Sequence, residues 1–139
     1  RRIEGERVCR GVAGDLYAAL RRADYVKASS DELELVLEHA ELTLEQLMAD
    51  CAIAEWVITE GSRGGWVVDR VGQRTDFTSD SVSEVVDPTG AGDVFFAAYL
   101  AYRLHGGEGI AEAVQRAAKL AARQVRGDFI ASAVLLLER

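Results

Sequence analysis

Val85-Val86-Asp87-Pro88-Thr89-Gly90-Ala91-Gly92-Asp93-Val94-Phe95 is the stretch whose reading decides the fold. Two β-branched residues end a buried-type strand, a turn with Pro88, Gly90 and Gly92 follows, and a long helix opens with Phe95, Ala98, Tyr99 and Tyr102 on one face. The first turn of a helix has backbone N–H groups without an internal partner, and the macrodipole places about half a positive charge there. Gly90, Ala91 and Gly92 carry little or no side chain, so an anion can come close to those amides, which suits a phosphate. Asp93 would repel that phosphate. It makes sense there if its carboxylate takes a proton from a hydroxyl that attacks the phosphate. The plain alternative is that Asp93 complements the helix dipole and that residues 87–90 form an ordinary turn.

Working outward, strand and helix signals alternate on the upstream side. Asp15 to Ala23 reads as a short helix and Asp24 to Ala28 as a short strand. Ser30 to Ala40 places Leu33, Val36, Leu37 and Ala40 at helical spacing, and Thr43-x-x-Gln46 is a capping box ahead of Leu44, Leu47, Met48 and Cys51. Trp56 to Thr59 is a near-continuous apolar run, as in a strand buried on both faces. Gly61 to Gly65 breaks it, Trp66 to Asp69 resumes as the second arm of a hairpin-like pair, and Arg74 to Thr78 adds an edge strand. Downstream, Gly106-Gly107 separates the long helix from another over Ile110 to Val125, which Gly127 stops. Residues 1–13 carry no clear signal. The alternation points to an α/β layered sheet with flanking helices.

Composition narrows the function classes. The chain has 139 residues, 49% hydrophobic and 28% charged, with a formal charge of −7. Such a balance is globular, and it is opposite to that of a non-specific nucleic-acid or anionic-membrane binder. The longest apolar run, Val94 to Tyr102, is far short of the roughly 20 residues of a membrane-spanning helix. Cys9 and Cys51 have no paired spacing, and His39 and His105 stand far apart, so a zinc site is not expected and the cytoplasm is the default location. Neither a Walker A motif nor GxGxxG is present.

Asp87 to Phe95 resembles the second signature of the ribokinase/pfkB carbohydrate kinase family, D-(T/P)-T-G-A-G-D-x-F. Two further segments match in order. Thr59-Glu60-Gly61-Ser62-Arg63-Gly64 resembles the family's T-x-G-x-x-G nucleotide-phosphate segment, and Lys27-Ala28-Ser29-Ser30-Asp31-Glu32 its K-x-N-x-x-E segment, with Ser29 where Asn is usual. The resemblance implies a ribokinase-like α/β fold and an ATP-dependent phosphotransferase acting on a hydroxymethyl group of a sugar. By it, Asp93 is the general base, Gly90, Ala91 and Gly92 form an anion hole for the transferring phosphoryl group, and Thr59, Gly61 and Gly64 line the ATP phosphates. Ser29 and Glu32 act near Mg²⁺ through water, although Ser29-x-x-Glu32 is equally a capping box at a helix start. Asp87 and Thr89 fit the family's monovalent-cation site and imply K⁺; the loop that completes it, Gly127 to Ser132, matches poorly.

The family's first glycine-rich signature and β-lid, which grip the acceptor, have no counterpart here, and the chain opens Arg1-Arg2-Ile3-Glu4-Gly5 without Met. Residues 1–139 therefore read as the C-terminal ATP-binding and catalytic-base portion of such a kinase, without the N-terminal substrate half. The expected partner is a small-molecule sugar or nucleoside, not nucleic acid or membrane, and homodimer formation stays open. Two alternatives remain: an adenosine-type nucleoside kinase of the same family, and a non-catalytic nucleotide-binding remnant.

Overall fold

The computed structural model describes residues 2–4, 7–9, 14–79 and 89–127, the first two segments by their backbone alone. In chain order the strands are β1 (Arg2–Glu4), β2 (Arg7–Cys9), β3 (Tyr25–Ser29), β4 (Glu55–Thr59), β5 (Gly65–Asp69) and β6 (Arg74–Phe77). The helices are α1 (Leu16–Leu20), α2 (Ser30–Ala40), α3 (Leu44–Cys51), α4 (Ala91–Leu100) and α5 (Ile110–Val125). A 3₁₀ turn spans Gly61–Arg63 and a π-helical segment Ala101–His105. β1 and β2 make a small antiparallel pair, and the remaining strands form one sheet in the order β3-β4-β5-β6. The architecture is α/β, a four-stranded sheet with flanking helices among the described residues.

The chain divides into two compact units, residues 1–59 with 67–74 and residues 60–66 with 75–139. In the first, β3 and β4 are parallel, with Tyr25 opposite Glu55 and Ser29 opposite Thr59. Parallel neighbours need a crossover, and α2 and α3 provide it. Both helices begin with complete capping boxes. Ser29 Oγ accepts the Glu32 N–H while Glu32 Oε2 accepts the Ser29 N–H, and Thr43 and Gln46 repeat the arrangement. Leu33, Leu47, Met48, Cys51 and Ile53 are buried with Trp56, Val57 and Ile58 of β4. Each such side chain contributes about 1.5–3 kcal/mol when removed from water, and β4 is the continuously buried strand that its apolar run predicts.

In the second unit, α4 packs on α5. Phe95, Ala98 and Tyr99 are buried on α4, and Ala113, Val114, Ala117 and Ala122 on α5. The large Tyr99 ring is fully enclosed, and the buried positions of α5 are mostly alanine. The sequence predicts one helix through Tyr102, whereas regular α-helix ends at Leu100 and widens into the π segment. The cause is local. Gly106 N–H donates to the Ala101 carbonyl, and a side chain at Gly106 would stand 2.7 Å from the Tyr102 carbonyl oxygen. α5 covers Ile110–Val125 as its spacing predicts, and its first turn is closed by Glu112 Oε2 accepting the Gly109 N–H. α1 is shorter than its spacing predicts, ending at Leu20. No helix among the described residues is long and apolar enough to cross a membrane.

Candidate functional site

The candidate residues fall into two sets, one in each unit. In the first unit Ser29 and Thr59 are the last residues of β3 and β4 and face each other in the parallel register. The crossover of residues 30–54 thus returns the K-x-x-x-x-E and T-x-G segments to neighbouring carboxyl ends, where open α/β sheets take their ligands. Ser29 and Glu32 are occupied with capping α2, through bonds of 3.2 and 2.8 Å. Thr59 Oγ1 donates to the Ala28 carbonyl over a long 3.5 Å, a weak hold on that hydroxyl.

In the second unit Glu60 to Gly64 form a turn closed wholly by backbone. Glu60 N–H donates to the Gly64 carbonyl (2.8 Å), Arg63 N–H to the Glu60 carbonyl (3.3 Å) and Gly64 N–H to the Gly61 carbonyl (3.2 Å). Gly61 has open space where a side chain would stand. Gly64 does not: a Cβ there would lie 2.2 Å from the Phe77 carbonyl oxygen, and φ is +93°. The close approach at Gly64 is therefore to the end of β6, and its amide serves the turn.

Gly90 caps α4 in the left-handed conformation, φ +75°, with open space beside its Cα. Its carbonyl accepts from Asp93 N–H (3.0 Å) and Val94 N–H (2.9 Å). Ala91 and Gly92 occupy the first two helical positions, where N–H groups have no acceptor within the helix. Asp93, at the third, is exposed, and no described residue pairs with its carboxylate. Thr89 is exposed just ahead of Gly90; Asp87, Pro88 and the residues 128–132 proposed to complete a cation site lie outside the described residues.

Phe77 joins the two segments of this unit. Its carbonyl backs against Gly64, and its ring stacks on Phe95 of α4 with centroids 5.3 Å apart and planes at 19°. Gln115 Nε2 of α5 donates to the adjacent Thr78 carbonyl at 3.3 Å. The 60–64 turn and the α4 N-terminus are thus both braced on the end of β6. In the sequence Phe77 reads only as part of an edge strand, because nothing local marks a ring that stacks 18 residues away.

The arrangement offers amides and open space to an anion at the α4 N-terminus, with the exposed Asp93 carboxylate in the same first turn. Among the described residues no three His, Cys, Asp or Glu side chains gather as a metal cage. Cys51 is a buried free thiol whose pKa is pushed up by burial.

A family model described as pfkB family carbohydrate kinase matches residues 7–128. Solved structures share the fold. A nucleoside kinase of Methanocaldococcus jannaschii, a member of the ribokinase family, superposes with TM-score 0.73 at 19% identity, covering 80% of this chain and 36% of its own. Ribokinase from Thermotoga maritima gives 0.66 at 25% identity, over 78% of this chain and 38% of its own. A protein of E. coli provisionally named ribokinase II, in complex with ATP and Mg²⁺, gives 0.67 at 30% identity, over 79% and 35%. The chain spans between a third and two-fifths of the length of these structures. With most of its residues matched to the family model and its motifs standing in the order the resemblance requires, this chain belongs to the pfkB family of carbohydrate kinases.

Proposed function

We propose that this chain is the nucleotide-binding and catalytic-base portion of an ATP-dependent phosphotransferase that moves the γ-phosphoryl group onto a hydroxymethyl group of a sugar. The observation that carries this reading is the α4 N-terminus, where exposed Asp93 shares the first helical turn with the Ala91 and Gly92 amides, beside the open space at Gly90. In the reaction, Asp93 takes the proton of the acceptor hydroxyl. The acceptor oxygen then attacks the γ-phosphorus, and the bond to the β–γ bridging oxygen breaks to release ADP. The Gly90, Ala91 and Gly92 amides bind the charge that builds on the transferring group, each worth a few kcal/mol of barrier. Thr59, Gly61 and Gly64 shape the turn that takes the nucleotide's remaining phosphates.

Mg²⁺, when bound, supplies charge neutralisation at the phosphates, with Ser29 and Glu32 holding it through water. Asp87 and Thr89 are the residues to hold K⁺ in the same reading. The carbohydrate acceptor rests on the family description. The nucleoside kinase likeness, at 19% identity, bears on the fold alone.

The test is ADP release from MgATP with pooled sugars, then with pooled nucleosides, by the full-length protein that includes the acceptor half and by its Asp93→Asn variant. The expected result is turnover with sugars that falls at least about 100-fold in the variant, the scale of a general base, with MgATP affinity kept. Turnover with nucleosides alone would replace the acceptor class. MgATP binding without turnover on any acceptor would favour a non-catalytic remnant, and full turnover in Asp93→Asn would remove the base assignment.

A further inference from the structure

Between Ala28 and Asp69 the chain holds one lysine or arginine, Arg63, in an otherwise acidic stretch. It ends the 3₁₀ turn, immediately before Gly64, and its side chain is 76% exposed. Its acidic neighbour Glu60 lies 3.9 Å from Nε, at the outer limit of an ion pair, whereas Arg21 and Asp50 meet at 2.9 Å. An exposed pair at that distance stabilises little, and the bonds that close the turn are all backbone to backbone. The guanidinium is therefore not needed to shape the turn and is weakly held where it stands. A chain of charge −7 repels a polyphosphate at long range. A planar guanidinium matches phosphate oxygens two at a time.

We propose that Arg63 is a ligand for the nucleotide's phosphates, parked on Glu60 until the nucleotide arrives. Glu60 is then its competitor, because its carboxylate must yield the guanidinium to the phosphate and repels that phosphate in addition. This rests on the reading of residues 59–64 as the phosphate turn. The two side chains consequently act in opposite directions: removing Arg63 weakens nucleotide binding, and removing the Glu60 charge strengthens it. If the pair merely braced the turn, removing either partner would weaken binding.

The experiment is calorimetric titration of MgATP into the parent chain, Arg63→Ala, Arg63→Lys and Glu60→Gln, with thermal midpoints measured for each. Losing a charge-assisted hydrogen bond predicts a dissociation constant roughly 10-fold higher in Arg63→Ala. Arg63→Lys falls between parent and alanine variant. Releasing a surface ion pair predicts binding about 2- to 5-fold tighter in Glu60→Gln. Thermal midpoints stay close to the parent's, since an ion pair at 3.9 Å with an exposed arginine stabilises little. Weaker binding in both Arg63→Ala and Glu60→Gln, or no change in either while the parent binds MgATP, would overturn the role of Arg63 and leave the nucleotide reading standing. A parent chain that binds no MgATP would overturn both.

Discussion

Gly64 and Gly90 both hold left-handed backbone, but their surroundings differ, and their alanine variants separate packing from chemistry. At Gly64 a methyl group would meet the Phe77 carbonyl at 2.2 Å, so the end of β6 must move away. Backbone strain and overpacking together predict a loss of about 3 kcal/mol or more for Gly64→Ala, read as a lower urea midpoint. At Gly90 a methyl group would meet no atom within 4 Å, and only the left-handed strain of about 1–2 kcal/mol remains. Gly90→Ala is accordingly expected to lose MgATP affinity out of proportion to its stability. The reverse pattern in the two variants would place the anion site at the wrong glycine. Asp93 is the residue whose reading the sequence alone left divided between base and dipole partner. In the structure Asp93 is exposed in the first turn of α4, a position that serves either reading, so the Asp93→Asn turnover decides between them.

Among elements, the helices were the most legible in advance, because their signals are local. Capping boxes at Ser29 and Thr43 mark the starts of α2 and α3, and the apolar period marks α5 from Ile110 to Val125. β1 and β2 were not legible, since three residues are too few to show an alternation. Nor was the π segment, which closes with a bond from Gly106 N–H to the Ala101 carbonyl. The pairing of Ser29 with Thr59 and the stacking of Phe77 on Phe95 are non-local, and no period in the chain records them. The double reading of Ser29-x-x-Glu32 can now be split. The capping box is present, so Ser29→Ala should cost about 1 kcal/mol of stability by denaturant titration. Glu32→Gln keeps an acceptor for the Ser29 amide and should leave stability nearly unchanged. A higher Mg²⁺ requirement in that variant supports a second role near the ion, and an unchanged one confines Glu32 to the cap. α3 carries a pH dependence of its own. The backbone N–H of Glu45, and then the Thr43 hydroxyl, hold the Glu45 carboxyl below the usual carboxylate range. The folded chain therefore binds that proton more weakly than the unfolded one. The stabilisation is present above the unfolded carboxylate pKa and is lost as pH falls through the folded value. Glu45→Gln should flatten that acid limb of the stability profile.

At the scale of the whole molecule, the candidate residues divide between the two units. Ser29, Glu32 and Thr59 belong to one, and Gly61, Gly64 and Gly90 to Asp93 to the other. The family and the α/β class could be read from three short motifs, because each fixes chemistry at a strand end or a helix start. The acceptor could not, because discrimination between sugar and nucleoside does not lie in these motifs. The central claim is that the 60–64 turn and the start of α4 hold the phosphates of one nucleotide. The measurement that tests it most directly is an amide-resolved NMR titration of the chain with MgATP. The account predicts that the amides of Gly61, Ala91 and Gly92 shift together and saturate with one dissociation constant. Saturable binding that leaves those three amides unmoved would contradict it.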